Sequence, residues 1–202
     1  MKPASRETPE STAARRGDRR QDLLKATFDI IAVEGFEGLR TRAVADRAGV
    51  NIATLHYYYP TKAALIEAFA YYLGEIFQRT HAPAVPSTGR GGLDRLRQEF
   101  ADAAYYLAEQ KDLMTVMGEL AMRSQRDPVV KQNLDLMLFY WRQSLAETVK
   151  EGLTDHSFRA DLDADQITAT LIALFSGLAA LGPEGIESVR QAVEQWLVCP
   201  EK

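Results

Sequence analysis

The stretch Thr41–Lys62, TRAVADRAGVNIATLHYYYPTK, constrains this chain more than any other. It predicts two short helices joined by a tight turn. The first covers Thr41 to Ala48, where Ala45 and Ala48 are small enough to let a second helix cross closely. Gly49 follows where a helix has to stop, because glycine takes a positive φ without steric cost. Asn51 stands at an N-cap position, its side-chain oxygen available to the first amides of the next turn. The second helix covers Ile52 to Tyr58, and Pro60 ends it. Two helices meeting across a short glycine turn form a helix-turn-helix, and the second of them has the dimensions to enter a DNA major groove.

These residues resemble the DNA-binding signature of the TetR family of transcriptional regulators, roughly T-x-x-x-I-A-x-x-A-G-V-S-x-x-T-L-Y-x-H-F-x-S-K. The chain carries Thr41, Val44, Ala45, Ala48, Gly49, Val50, Asn51, Thr54, Leu55, His56, Tyr58, Tyr59, Thr61 and Lys62 at the matching places. His56 stands where the family usually has tyrosine, and Tyr58 where it often has histidine. Both replacements still donate a hydrogen bond to phosphate. The similarity covers about residues 20 to 65; beyond them only length, helical pattern and the position of the linker agree. It implies an all-α protein of about nine helices, with a three-helix DNA-binding domain ahead of a helical ligand-binding and dimerisation domain. It further implies that Thr41 meets phosphate, that Arg42 reaches a base, and that Asn51, Ile52, Ala53 and Thr54 open the recognition helix toward base edges. His56, Tyr57, Tyr58 and Lys62 would hold phosphates, while Tyr59 belongs to the core.

Charge agrees with a polyanion partner at one end. Residues 1–62 carry a balance of +3 and residues 63–202 one of −7, within a net −4. Residues 1–18 are polar, contain prolines and lack a long apolar stretch, so they read as a disordered basic tail without an export signal. Arg15, Arg16, Arg19 and Arg20 are either an arm along the phosphate backbone or a solvated charge run. A first helix over Arg19 to Glu34 buries Leu23, Leu24, Thr27, Phe28, Ile31 and Ala32 at helical spacing, and Gly35 ends it. The DNA-binding domain is expected over 19–62. A connecting helix follows over 63–80, then a proline- and glycine-rich joint over residues 81–92, then the body over 93–202.

The body reads as helices from Leu93 to Gln110, Leu113 to Gln125, Pro128 to Gly152, Asp163 to Leu181 and Ile186 to Val198. No stretch alternates long enough for a strand, and the longest apolar run is too short to cross a bilayer. One cysteine, Cys199, excludes an intramolecular disulfide framework and fits a reducing cytoplasm. His56, His81 and His156 are too scattered for a zinc site, and no P-loop, GxSxG or GxGxxG is present. Asp161, Asp163 and Asp165 alternate as calcium ligands do, but without the closing glutamate they read as a capped helix start. No enzyme, cofactor, metal or membrane association is therefore expected.

Large adaptable side chains on the fifth to seventh helices exceed what a compact bundle needs. Phe100, Tyr105, Met114, Met117, Tyr140 and Trp141, joined by Phe175, are read as walls of a ligand pocket. Tyr105, Tyr140, Gln143 and Glu119 would be its few polar groups, which favours an apolar or aromatic effector. On the eighth helix Ala169, Ala173, Gly177 and Ala180 form a small-residue ridge, and the ninth adds Val193 and Trp196. By resemblance these two helices pair with their copies in a homodimer, which suits a palindromic operator on double-stranded DNA. The expectation is a cytoplasmic, homodimeric repressor released by its ligand. The alternatives are an activator or ligand-independent regulator of the same fold, or an enzyme or carrier using the apolar cavity.

Overall fold

The structure, a computed structural model, describes residues 9–198. Expectations placed on residues 1–8 and on Cys199 lie outside the described residues, as do the side chains of Arg15 and Arg16. Among the described residues there are nine α-helices, two short 3-10 turns and no strand. In chain order the helices are α1 (Pro9–Glu34), α2 (Thr41–Arg47), α3 (Ile52–Tyr58), α4 (Lys62–Arg79), α5 (Gly91–Glu109), α6 (Lys111–Ser124), α7 (Pro128–Thr154), α8 (Ala164–Gly177) and α9 (Pro183–Leu197). The 3-10 turns are Phe36–Gly38 and Leu178–Ala180. Among the described residues no helix is long and apolar enough to cross a membrane.

Two features of the organisation stand beside the expected domain bounds. Helix α1 is described from Pro9 onward, within the stretch expected as a tail. The body is not one continuous block. One compact unit holds the chain through Gly74 together with Thr115–Leu134, and the other holds Glu75–Met114 together with the chain from Asp135. The chain thus changes unit within α4, α6 and α7 rather than in a linker.

In the first unit, α1 buries Leu23, Ala26, Ile30 and Ile31, the helical repeat that places them on one stripe. Thr27 is also buried, and its hydroxyl donates to the Leu23 carbonyl at 2.9 Å. Gly35 takes φ 70° and turns the chain into Phe36, which is buried. Val44 and Ala45 of α2 and Leu55 of α3 complete this small core with Tyr59, Leu65, Ile66 and Phe69. Val116, Leu120, Val130 and Leu134 are the buried residues that the returning segment supplies.

The second unit buries Leu93, Leu96 and Phe100 of α5 with Leu145 and Val149 of α7, Ile167 and Leu171 of α8, and Ile186, Val193 and Leu197 of α9. Helices α5 and α7 touch backbone to backbone, since a Cβ on Gly92 would lie 2.2 Å from the Gly152 Cα. The Gly92 amide donates to Asp155 at 2.9 Å and secures that crossing. Asp163 caps α8 by accepting from the Gln166 amide at 2.9 Å, and Asp161 pairs with Arg159. Asp163 therefore serves the helix start with Asp165 in its first turn, while Asp161 is engaged by Arg159 ahead of it.

Candidate nucleic-acid interface and effector region

The turn between α2 and α3 follows from three local signals. Gly49, at φ 66°, closes α2 with hydrogen bonds from Gly49 N to Asp46 O at 3.2 Å and from Val50 N to Ala45 O at 3.0 Å. This is a Schellman close, and it returns two orphaned carbonyls to partners. Nothing lies within 4 Å of a Cβ placed on Gly49, so the backbone angle rather than crowding requires glycine. Asn51 then caps α3, its Oδ1 accepting from the Thr54 amide at 2.7 Å. Thr61 caps α4 through the Ala64 amide at 3.0 Å.

Helix α3 buries Leu55 and holds Tyr59 beneath it, which leaves Asn51, Ile52, Ala53, His56 and Tyr57 exposed. Ile52 and Tyr57 are 39% and 65% exposed, unusual for large apolar side chains on so short a helix. Tyr58 is half-buried and packs edge-on against Tyr57 with ring centroids 5.1 Å apart. On α2, Arg42 is exposed and Thr41 half-buried. Arg19 and Arg20 are exposed on α1, and the Arg20 guanidinium lies 6.0 Å from the Tyr59 ring centroid.

Two residues expected at this surface are engaged elsewhere. The Thr54 hydroxyl donates to Asn51 at 2.9 Å, so it reinforces the cap instead of standing free for a base. The Lys62 ammonium, expected on phosphate, turns inward: it donates to the Leu39 carbonyl at 2.7 Å and lies 5.2 Å from the Phe36 ring centroid. Burial, then the nearby Arg123 charge, holds its pKa below the usual lysine value. The same loop is held from α6. Glu119 accepts from the Phe36 amide at 2.8 Å, and Arg123 lies 5.0 Å from the Phe36 ring while pairing with Glu37 at 3.2 Å. Glu119, expected as a polar group of the ligand pocket, is thereby a support of the α1–α2 connection.

The residues read as pocket walls divide. In the second unit Phe100 and Phe175 pack with ring centroids 4.7 Å apart, and Trp141 meets Phe175 edge-on at 6.1 Å. Tyr105 is half-buried and accepts from the Gln110 side chain at 3.1 Å. Tyr140 is 65% exposed, so it faces solvent rather than this aromatic group. Met114 belongs to the second unit and Met117 to the first.

Glu99 is a residue that sequence reasoning missed. It stands among Trp141, Asp102, Arg95 and His81; burial pushes its carboxyl up, and a hydrogen bond from Trp141 opposes that shift. Its signal was legible, because Leu96, Glu99, Phe100 and Ala103 share the spacing of a buried helix face. Phe100 also borders a cleft of about 460 Å³, lined with it by Ala104, Ile186, Arg97, Arg190 and the segment 85–88. Its arginines are held by Glu194, which pairs with Arg97 at 2.6 Å and also with Arg190.

On α8, Ala169, Ala173 and Gly177 are exposed, as is Ala180 in the following turn. Trp196 of α9 is half-buried, but Val193 is 4% exposed and belongs to the core of its own chain, a correction to its expected place on the dimer face.

Comparison with known proteins fits these two parts of the chain. The family of "Bacterial regulatory proteins, tetR family" matches residues 23–69, and "BetI-type transcriptional repressor, C-terminal" matches residues 92–198. The chain is 30% identical over 143 residues to the HTH-type transcriptional repressor KstR of Mycobacterium tuberculosis, covering 70% of this chain and 57% of that protein. It is 28% identical to the class D tetracycline repressor protein of Escherichia coli over 114 residues, 56% of this chain and 51% of the relative. It thus spans little more than half the length of these relatives. Among solved structures, a TetR transcription regulator from Haloarcula marismortui superposes with a TM-score of 0.74 at 23% identity, covering 90% of this chain and 99% of the other. A transcriptional regulator from Saccharomonospora viridis in complex with choline does so with a TM-score of 0.74 at 20% identity, over 91% and 100%. With a tetR-type helix-turn-helix matched over residues 23–69 and a repressor C-terminal domain over 92–198, the chain belongs to the TetR family of bacterial regulatory proteins.

Proposed function

We propose that this chain is a DNA-binding transcriptional repressor that works as a homodimer on a palindromic operator and is released by a small apolar or aromatic ligand. The observation that carries the reading is the exposed face of α3, where Ile52, Ala53, His56 and Tyr57 stand over a buried Leu55. Ile52 and Ala53 suit apolar contact with a thymine methyl, and His56 and Tyr57 suit phosphate. Exposed Arg42 carries the two-pronged donor set that reads guanine. The small residues exposed on α8 suit close approach of a second copy, and two-fold symmetry suits a palindrome.

Release requires a ligand that binds the DNA-incompetent arrangement better than the competent one. Helices α4, α6 and α7 each contribute residues to both units and are the covalent routes for that preference. The aromatic group of Phe100, Trp141 and Phe175 supplies apolar surface for the ligand, and Glu99 supplies a polar anchor within it. A regulator of the same fold from Saccharomonospora viridis is in complex with choline, which supports a small-molecule ligand for this chain.

The test is affinity for the DNA flanking the chain's own gene, measured by fluorescence anisotropy against salt for wild type, Arg42→Ala and Lys62→Ala. Arg42→Ala is expected to cost about 1–3 kcal/mol on the operator and to relax preference at one position per half-site. Lys62→Ala, given its inward hydrogen bond, is expected to leave the salt slope almost unchanged. No binding to any such DNA by the folded wild type, or an Arg42→Ala protein indistinguishable from it, rejects the reading.

A further inference from the structure

Where α4 ends, the imidazole of His81 sits between two acceptors. Its Nδ1 is 3.1 Å from Asp102 Oδ2, and its Nε2 is 2.9 Å from the Gln78 carbonyl oxygen. A carboxylate and a carbonyl only accept, and a neutral imidazole carries a single N–H, so it can serve one of them. The imidazolium serves both. Asp102 is itself 8% exposed, and its other oxygen accepts from the Ala82 amide at 2.7 Å and from the Gln98 side chain at 3.0 Å. Alongside, the Tyr106 hydroxyl donates to the Thr80 carbonyl at 2.7 Å. Burial and then the charges of Asp102 and Glu99 push that phenol well up, so it remains a donor across the neutral range.

The segment leaving α4 is therefore fastened to α5 at Thr80, His81 and Ala82, and of these bonds only the His81 one is made by an imidazole, whose charge can change. The charged groups that face the ring are Asp102 and Glu99, both acidic and both on α5. The hydrogen bond to Asp102 raises the His81 pKa above its ordinary 6.5, against a smaller opposing effect of burial. A raised folded-state value means that the bond's stabilisation is fully present below the unfolded value of 6.5 and is lost as pH rises through the folded one.

We propose that His81, Asp102 and the Gln78 carbonyl form a proton-dependent latch, closed by protonated His81 and loosened when it is neutral, that makes this regulator's grip on its operator depend on pH. The latch stands on the α4–α5 geometry alone; its effect on the operator rests on the proposed function. α4 carries the link because its first residues belong to the helix-turn-helix unit and its last turn to the unit containing α5.

The first two readouts need no DNA. The His81 ring proton is titrated by NMR in wild type and Asp102→Asn, and the exchange of the Ala82 amide, corrected for intrinsic pH dependence, is followed in parallel. Wild type is expected to titrate above 6.5, with Ala82 protection falling roughly three- to tenfold as pH rises through that raised folded pKa, the worth of one partly exposed hydrogen bond. In Asp102→Asn the amide oxygen keeps Ala82 and the amide N–H donates to Nδ1. The neutral Nε2–H tautomer then satisfies Gln78, so the His81 pKa should fall to the ordinary value or below and Ala82 protection should lose its pH dependence. A wild-type His81 titrating at or below 6.5, or pH-independent Ala82 protection, overturns the latch.

The third readout is operator affinity between about pH 6 and pH 8.5, where histidine charge changes, in wild type and His81→Gln. A pH dependence in wild type that disappears in His81→Gln supports the regulatory half. Equal pH dependence in both, or none in wild type, overturns it. Absence of any operator binding by wild type at either pH rejects the DNA reading and this half with it, while the first two readouts still decide the latch.

Discussion

Replacing Glu119 by alanine tests how α6 supports the connection between α1 and α2. Glu119 Oε2 accepts from the Phe36 amide at 2.8 Å in a partly buried setting. That amide opens the 3-10 turn Phe36–Gly38, and the first amides of such a turn have no partner within it. A hydrogen bond to a charged group contributes about 1.5–3 kcal/mol, and partial exposure places this one near the lower end, about 1–2 kcal/mol. The corresponding fall in local protection is roughly 5- to 30-fold. The assay is native-state amide exchange of Phe36 in wild type, Glu119→Ala and Glu119→Gln. The alanine variant should lose protection at Phe36 and its neighbours while the Leu55 amide of α3 keeps its own. Glutamine retains an acceptor and should lose less than half as much, because the neutral bond is weaker. Gly35→Ala should mimic the loss, since its Cβ would lie 3.1 Å from Glu119 Oε2 and φ 70° disfavours any side chain. Phe36 protection unchanged within twofold in Glu119→Ala would refute the reasoning. So would an equal loss at every amide of the unit, which reports global destabilisation instead of a local clasp.

Gly92→Ala forces a Cβ against the Gly152 backbone at 2.2 Å, so the thermal midpoint should drop by the equivalent of about 2 kcal/mol or more, where Gly49→Ala should cost about 1 kcal/mol through φ alone. A Gly92→Ala protein as stable as wild type by calorimetry would deny the close α5–α7 crossing. Glu99→Gln should stabilise at neutral pH, because burial raises the folded carboxyl above its usual 4.5 and its ionisation opposes folding as pH rises through that window. The gain should vanish below about pH 4, where both states hold the proton, and urea midpoints against pH would show it. Ala173→Glu puts a charge on the exposed ridge of α8, where burial against a second copy without a partner is costly. Sedimentation should shift toward monomer with helix content intact, and an undiminished dimer would place the interface elsewhere.

The helix-turn-helix was legible in full because its signals are local. Gly49 stops α2 through one backbone angle, Asn51 caps α3 through an amide three residues on, and Thr61 caps α4 in the same way. Each depends on residues within a single turn, so a string of residue types is enough to read them. The outward residues of α3 were expected from the family resemblance, and the structure buries Leu55 beneath Ile52, Ala53, His56 and Tyr57, which are exposed.

What the tertiary structure alone decided are contacts between residues distant in the chain. Lys62 and Glu119 looked like a phosphate ligand and a pocket group, yet they meet Leu39 and Phe36 across 23 and 83 residues. Val193 reads as an apolar residue on either face of α9, and only the position of the neighbouring helices turns it inward. Gly92 and Gly152 carry no motif at all, and their need for glycine exists only because two backbones cross there. His81 acquires Asp102 only once α4 ends against α5, whereas its other acceptor, the Gln78 carbonyl, stands three residues back in its own chain. Sequence determines which turns the backbone can make, because those depend on φ and on neighbours a few bonds away. Packing determines which charged and small residues meet, because that depends on where whole helices come to rest.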